Sequence, residues 1–395
     1  MREEAPDGSL APPGLGADLV DRHARLRREM AKQDLTWLLG VRDETVTYLS
    51  GYVSTTFRMH SRPVVALLAH DALHLVVAET EVDSARLRVP GAVVHPYVEM
   101  DPPSPGLPDG HLQFAPHAGR VLANLVDGRD GALGVDGLDA AWPPVGQLTR
   151  LMPGLGPDVV DASPLVWRCR LQKSPWEVGR MRRSAEILRQ VFELMPERIR
   201  PGMTEREISR VFSITQLELG AHEVGPHGAV VRMQHGLFGG PTDAVWHRDD
   251  LLYLDGAPIV DGYWADFCRT YAARATTPGE RTGHARARAG LDAAVPLIAP
   301  GVSAGLVGAA MQSAIGIEPD EVGFGRFGHG IGLHVPEPPS LHPNEDALFA
   351  PGSTLCIEPT VRHEGLNHVV EETYWVTPDG LEAISPPAPP GIVEL

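Results

Sequence analysis

Four acids and one histidine in the second half of this 395-residue chain stand in settings that suit metal chemistry: Asp255, Asp266, His329, Glu358 and Glu371. Asp255 closes the apolar run Leu252-Tyr-Leu254, and Asp266 lies eleven residues on, in a second strand-like run. Pro258 and Asp261-Gly262 between them fit a hairpin that returns the chain and sets the two carboxylates side by side. Two anions placed that close need a cation between them, or one must hold a proton. His329 lies in Gly328-His-Gly-Ile-Gly332, where no neighbouring side chain crowds a ligand and glycines permit close backbone approach. Glu358 sits between Ile357 and Pro359 after an apolar run, where a carboxylate is costly to bury unless paired. Alternation puts Glu371 on one strand face with Val369 and Thr373, and turns Glu372 the other way. Taken singly, each acid also reads as a solvated residue at a turn or rim, and the histidine as a structural one. Together the five supply four carboxylates and one imidazole, a donor set for Mn(II), Fe(II) or Co(II), with Zn(II) possible. Bridging carboxylates suit two ions about 3.5–4 Å apart, which activate water and polarise a carbonyl.

The elements around these residues predict an α/β chain in two domains. An amphipathic helix over Asp18 to Gln33 is followed by short apolar runs at Thr36–Leu39, Pro63–Leu68 and Leu73–Ala78, bounded by turn residues as strands are. Asp101 to Gly110 is a loop by composition. Near residue 170 the pattern changes. Ser174-Pro-Trp-Glu177 has a capping residue, a proline at the first helical position and a glutamate to complete a capping box; Thr204 to Glu207 forms a second box. Strand-like segments dominate from Ala229, with helices near 279–298 and 303–315. Residues 1–16 read as a disordered lead, 17–170 and 171–385 as the two domains, and 386–395 as a Pro-rich surface tail.

Composition narrows the function. Apolar residues make up 43% and charged residues 22%, as in soluble globular proteins, and no stretch of about 18 apolar residues could span a membrane. The opening residues lack the basic start and apolar stretch of a secretory signal, so the expected compartment is the cytoplasm. With 34 Lys and Arg against 51 Asp and Glu, the net charge is −17, which disfavours nucleic acid as a partner. Three cysteines, Cys169, Cys268 and Cys356, include no CxxC pair and read as buried thiols.

The five segments, in the order Asp, Asp, His, Glu, Glu and with these flanks, resemble the M24 metallopeptidase family over about Lys173 to Gly380. That family includes methionine aminopeptidase, aminopeptidase P, prolidase and the metal-free creatinase. The resemblance implies a pseudo-twofold "pita-bread" catalytic domain and assigns Asp255, Asp266, His329, Glu358 and Glu371 as ligands to two divalent ions, with Asp266 and Glu371 bridging. It also implies that Glu358 relays a proton. Thr47-Tyr-Leu-Ser-Gly51-Tyr52 resembles the creatinase and prolidase amino-terminal domain. In creatinase-like dimers an arginine from this region reaches the partner's site, which makes Arg58 and Arg62 candidates to hold a substrate carboxylate and implies a homodimer.

The sequence also departs from the family. Where its peptidases carry a second histidine followed by glutamate, this chain has Pro336 and Glu337; Glu337 is a candidate substrate contact. His334 lies two residues earlier on the same side of a strand, and His235 lies near the position of a further family histidine. Either could steady an oxyanion. The leading expectation is a hydrolase of a C–N bond in a small carboxylate-bearing molecule, X-Pro dipeptidase-like or ectoine-hydrolase-like. A metal-dependent lyase related to the sulfonium lyase of the same fold ranks lower, because the spacing at Asp255 differs from that enzyme's. A non-catalytic pita-bread binding module is the third reading.

Overall fold

The computed structural model describes residues 10–59, 62–89, 91–98, 115–126, 131–139, 159–226, 228–231, 239–316 and 325–395. The chain divides into two compact units, Met1–Arg170 and Leu171–Leu395. No described helix is long and apolar enough to cross a membrane.

The amino-terminal unit is a six-stranded mixed sheet flanked by helices. Its strands are β1 (Leu35–Gly40), β2 (Val65–Leu68), β3 (Leu73–Ala78), β4 (Val93–Tyr97), β5 (Ala132–Asp136) and β6 (Val159–Asp161), in the order β4-β3-β2-β1-β5-β6. Trp37, Leu39, Val65, Leu67, Val76, Leu133 and Val135 build the core on one face. The expected first helix spans Leu15–Ala31 and buries Leu19, Leu26 and Met30. Helix Asp43–Ser50 ends at Gly51 with φ 72°, where a side chain would collide with Leu15. The family-like Ser50-Gly51 pair is therefore a helix stop that only glycine satisfies without strain. The expected loop at 101–110 lies outside the described residues, as do residues 1–9 of the lead. Within the rest of the lead, Leu10 N–H donates to the Leu87 carbonyl, and the first helix starts at Leu15.

The carboxy-terminal unit consists of two half-structures, each an antiparallel strand set covered by a helix pair. Helices Pro175–Arg198 and Glu205–Glu218 start with the two expected capping boxes, Ser174/Glu177 and Thr204/Glu207. In the first half β7 (Glu223–Val224) pairs with β10 (Pro258–Val260), which turns into β11 (Tyr263–Trp264), and β8 (Ala229–Val230) pairs with β9 (Leu251–Gly256), which pairs with β12 (Phe267–Ala272). The turn residues Asp261 and Gly262 have φ of 52° and 86°, the left-handed pair that matches strand twist in a two-residue hairpin. In the second half helices Pro278–Ala294 and Ala304–Ile315 cover β13 (Gly328–Gly330), β14 (Glu337–Ser340), β15 (Thr354–Ile357), β18 (Glu372–Thr377) and β19 (Gly380–Ala383), ordered β14-β13-β15-β18-β19. The hairpin β16 (Thr360–His363) and β17 (Leu366–Val369) joins β15 to β18.

The Pro-rich carboxy-terminal segment, expected as a surface tail, is held against this unit. Its last strand, β20 (Val393–Glu394), pairs in parallel with β12. The buried Arg269 guanidinium donates to the Pro386 and Pro387 carbonyls. Prolines lack donors but keep their carbonyls, so the segment satisfies a buried cation that composition did not reveal.

Candidate metal centre

Strand register explains how the five side chains meet. On β9 and β12, Asp255 stands opposite Cys268, and Asp266 lies two residues before Cys268, hence on the same face. In the second half His329 and Thr373 both pair with Cys356. Glu358 lies two residues after Cys356 and Glu371 two before Thr373, so period-two alternation brings both to the face that His329 occupies. The two halves are tied at this point: Thr373 Oγ1 donates to the Asp266 carbonyl at 2.6 Å, and Cys356 Sγ lies 3.6 Å from the same oxygen.

Donor atoms of Asp266, His329, Cys356 and Glu371 lie within 4.8 Å of one another. His329 Nε2 is 3.4 Å from Glu358 Oε1 and 3.7 Å from Asp266 Oδ2. Donors about 2.1 Å from a shared ion are separated by roughly 3–3.5 Å, close to these spacings. His329 Nδ1 is 2.8 Å from the Gly330 carbonyl, which can only accept, so in the neutral ring Nε2 keeps its lone pair facing the carboxylates.

The electrostatics call for a cation. Burial, then Asp255, then Glu358 hold the Asp266 carboxyl well above the usual carboxylate range. Burial, then Asp266 and Asp255, do the same to Glu371. Glu358 is pushed up to about 7, first by burial and then by Asp255, with Arg326 opposing. Asp255 Oδ1 and Asp266 Oδ1 are buried without a hydrogen-bond partner. Four converging carboxylates, two of them with an orphaned oxygen, fit divalent cations, which would reverse each of these shifts.

Two thiols complete the walls, and sequence reasoning missed this. It read Cys268 and Cys356 only as buried, although each lies two residues from a candidate ligand, Asp266 and Glu358 respectively. Burial and neighbouring carboxylates push both well above the ordinary thiol range, so each stands as a neutral group beside the oxygen donors. Arg326, 3.9 Å from Glu358 Oε1, was also missed.

Glu337 and His334 have partners outside the five. Glu337 is fully buried against Lys173, Nζ to Oε2 at 2.6 Å, and therefore braces the turn at Gly332, where a side chain would strike both groups, instead of facing an open site. His334 is exposed, its Nδ1 3.3 Å from the Pro336 carbonyl, and forms no hydrogen bond or ion pair with the five among the described residues. Arg58 pairs with Asp43 at 2.7 Å in the amino-terminal unit, and the Arg62 N–H donates to the Thr56 carbonyl. His235 lies outside the described residues.

Lys173→Ala is expected to strand the buried Glu337 charge and destabilise the protein by about 3–5 kcal/mol. The double change Lys173→Met, Glu337→Leu is expected to recover most of that loss. Denaturant unfolding of the single and double variants checks both expectations.

Fold and site together define a two-unit protein with a carboxylate-rich candidate metal centre. The chain belongs to metallopeptidase family M24: residues 179–378 match that family, and residues 22–172 match the creatinase/prolidase N-terminal domain. It is 28% identical over 256 residues to a probable dipeptidase PepE of Mycobacterium bovis, covering 61% of this chain and 66% of that protein. It is 26% identical over 245 residues to the Xaa-Pro dipeptidase of Lactobacillus helveticus, covering 57% and 62%. The chain thus spans just under two thirds of the length of these relatives. Among solved structures, a Xaa-Pro dipeptidase from Bacillus anthracis superposes with a TM-score of 0.78 at 20% identity, covering 95% of this chain and all of that one. The architecture is therefore the creatinase-like amino-terminal domain followed by the pita-bread domain expected from the resemblance.

Proposed function

We propose that this protein is a metal-dependent hydrolase of a C–N bond in a small carboxylate-bearing substrate, with dipeptides as the leading class. The observation that carries this reading is the convergence of Asp255, Asp266, His329, Glu358 and Glu371 from five strands of two sheets. The names of the two relatives, both dipeptidases, support a peptide substrate.

In this reading the five residues hold two divalent ions, Mn(II), Fe(II) or Co(II) by donor type. Such ions lower the pKa of water and polarise a carbonyl. His329 is held for ligation by the Gly330 carbonyl at its far nitrogen. Glu358 is the proton carrier. Its side chain is 23% exposed, against 5% for Asp266, so of these two it is the one in contact with solvent. Its carboxylate accepts the proton that the nucleophilic water releases and passes it to the departing nitrogen. The thiols of Cys268 and Cys356 keep the floor free of further charge.

Pro336, where the family's peptidases carry histidine, favours a second reading on a specific ground. A side chain that cannot donate leaves a tetrahedral oxyanion with one partner fewer. That suits a cyclic amidine or another non-peptide C–N bond. We also propose a homodimer, in which Arg58 or Arg62 of one subunit serves the other's site.

A panel of X-Pro and other dipeptides, ectoine, creatine and sulfonium acids, run with each metal in labelled water, tests the proposal. Cleavage with label in the product is the expected result. Unlabelled elimination products would identify a lyase instead.

A further inference from the structure

We propose that Arg326 binds the free carboxylate of the substrate, so that the site selects small acids over the corresponding amides and longer chains. This rests on the hydrolase reading above and assigns its specificity to a residue of the same chain.

The first ground is position. Arg326 starts the segment Arg326-Phe-Gly328 that leads into β13, and its guanidinium lies 3.9 Å from Glu358 Oε1. Its side chain is 31% exposed and that of Glu358 23%, whereas Asp266 and His329 are 5% and 4% exposed. Arg326 and Glu358 therefore stand together where the cluster meets solvent.

The second ground is that its donors are uncommitted. The 3.9 Å contact is outside hydrogen-bond range, and its guanidinium makes no hydrogen bond among the described residues. Arg269, the other arginine acting on this region, is the reverse case. It is buried, stacked over Phe192 and Phe267, and spends its donors on the carbonyls of Cys268, Pro386 and Pro387. A planar fork with free donors, partly exposed beside Glu358, is suited to two-pronged recognition of a carboxylate.

The third ground is charge. Asp255, Asp266, Glu358 and Glu371 carry four negative charges, which two divalent ions would balance. Arg326 is then the surplus charge, and a surplus cation at an opening attracts an anionic group. A ligand carboxylate seated there would place the neighbouring C–N bond beside Glu358.

The test compares Ala-Pro with Ala-prolinamide, and proline with prolinamide, on wild type, Arg326→Gln and Arg326→Lys. Wild type is expected to favour the acid by about 10- to 100-fold in kcat/KM, the range of one charged hydrogen-bonding interaction. Arg326→Gln is expected to erase that preference through KM, with kcat for Ala-Pro within a few-fold of wild type. Arg326→Lys is expected to restore part of it. Proline affinity by calorimetry is expected to fall by a similar factor in Arg326→Gln, independently of turnover. Equal use of acid and amide by wild type would overturn the anion site itself, and a preference that survives Arg326→Gln would overturn the assignment and return the role to Arg58 or Arg62. If no compound is cleaved with any metal, the hydrolase reading falls; proline binding then still decides, and affinity unchanged by Arg326→Gln, or absent in wild type, overturns the anion site.

Discussion

Replacing Asp266 by Asn is expected to abolish turnover while making the metal-free protein more stable. The loss of activity should exceed the roughly 10–100-fold that removal of a group behind a metal ligand costs, because Asp266 is itself a proposed ligand. The gain in stability has a separate cause. Without metal, Asp266 is fully buried beside Asp255 and Glu358, and burial with these neighbours disfavours its charged form. Asparagine keeps the volume and removes the charge. In chelator the variant's Tm should therefore lie above that of wild type, and in saturating Mn(II) the order should reverse. A residue that merely filled space would show neither the crossing nor the loss of turnover.

The metal-free protein is expected to lose stability as pH rises from 4.5 to 8, and added metal should abolish that loss. Glu358 is raised from its ordinary 4.5 to about 7, and Asp266 and Glu371 are raised as well. Raised acids bind protons more tightly in the folded state than in the unfolded one. Folding then takes up protons in this window, and stability falls with pH until the folded groups have ionised. Glu358 alone accounts for roughly 3 kcal/mol of that fall. Ions in the cage favour the charged forms and invert the slope, so the metal-loaded protein should gain stability over the same range. Thermal unfolding across pH, with and without chelator, reads both slopes.

Much of this site was legible because its signals are local. A carboxylate after an apolar strand, a histidine in a glycine frame and a hairpin at Asp261-Gly262 each depend on a few adjacent residues. The helix starts at Ser174 and Thr204 were legible for the same reason, since a capping box is complete within four residues. What stayed hidden depends on pairing between distant segments. Glu337 was assigned to substrate by its place beside Pro336, but its partner Lys173 stands 164 residues away in sequence. The thiols could have been placed by applying the same alternation that placed Glu371, counting two from Asp266 and from Glu358. Arg326 carried no signal of its own, because a lone arginine before Phe-Gly reads as surface charge until the fold sets it against Glu358. How the carboxy-terminal segment is held was not legible, because proline-rich composition speaks of the backbone donors a segment lacks. It says nothing of a buried arginine waiting for carbonyls.

Elemental analysis of protein purified without chelator and equilibrated with Mn(II) checks whether these five side chains share divalent ions. Two ions per chain are expected, falling below one when both Asp266 and Glu371 are replaced by their amides. Less than one ion per chain in the wild type, with no change in stability on adding chelator, would contradict that sharing.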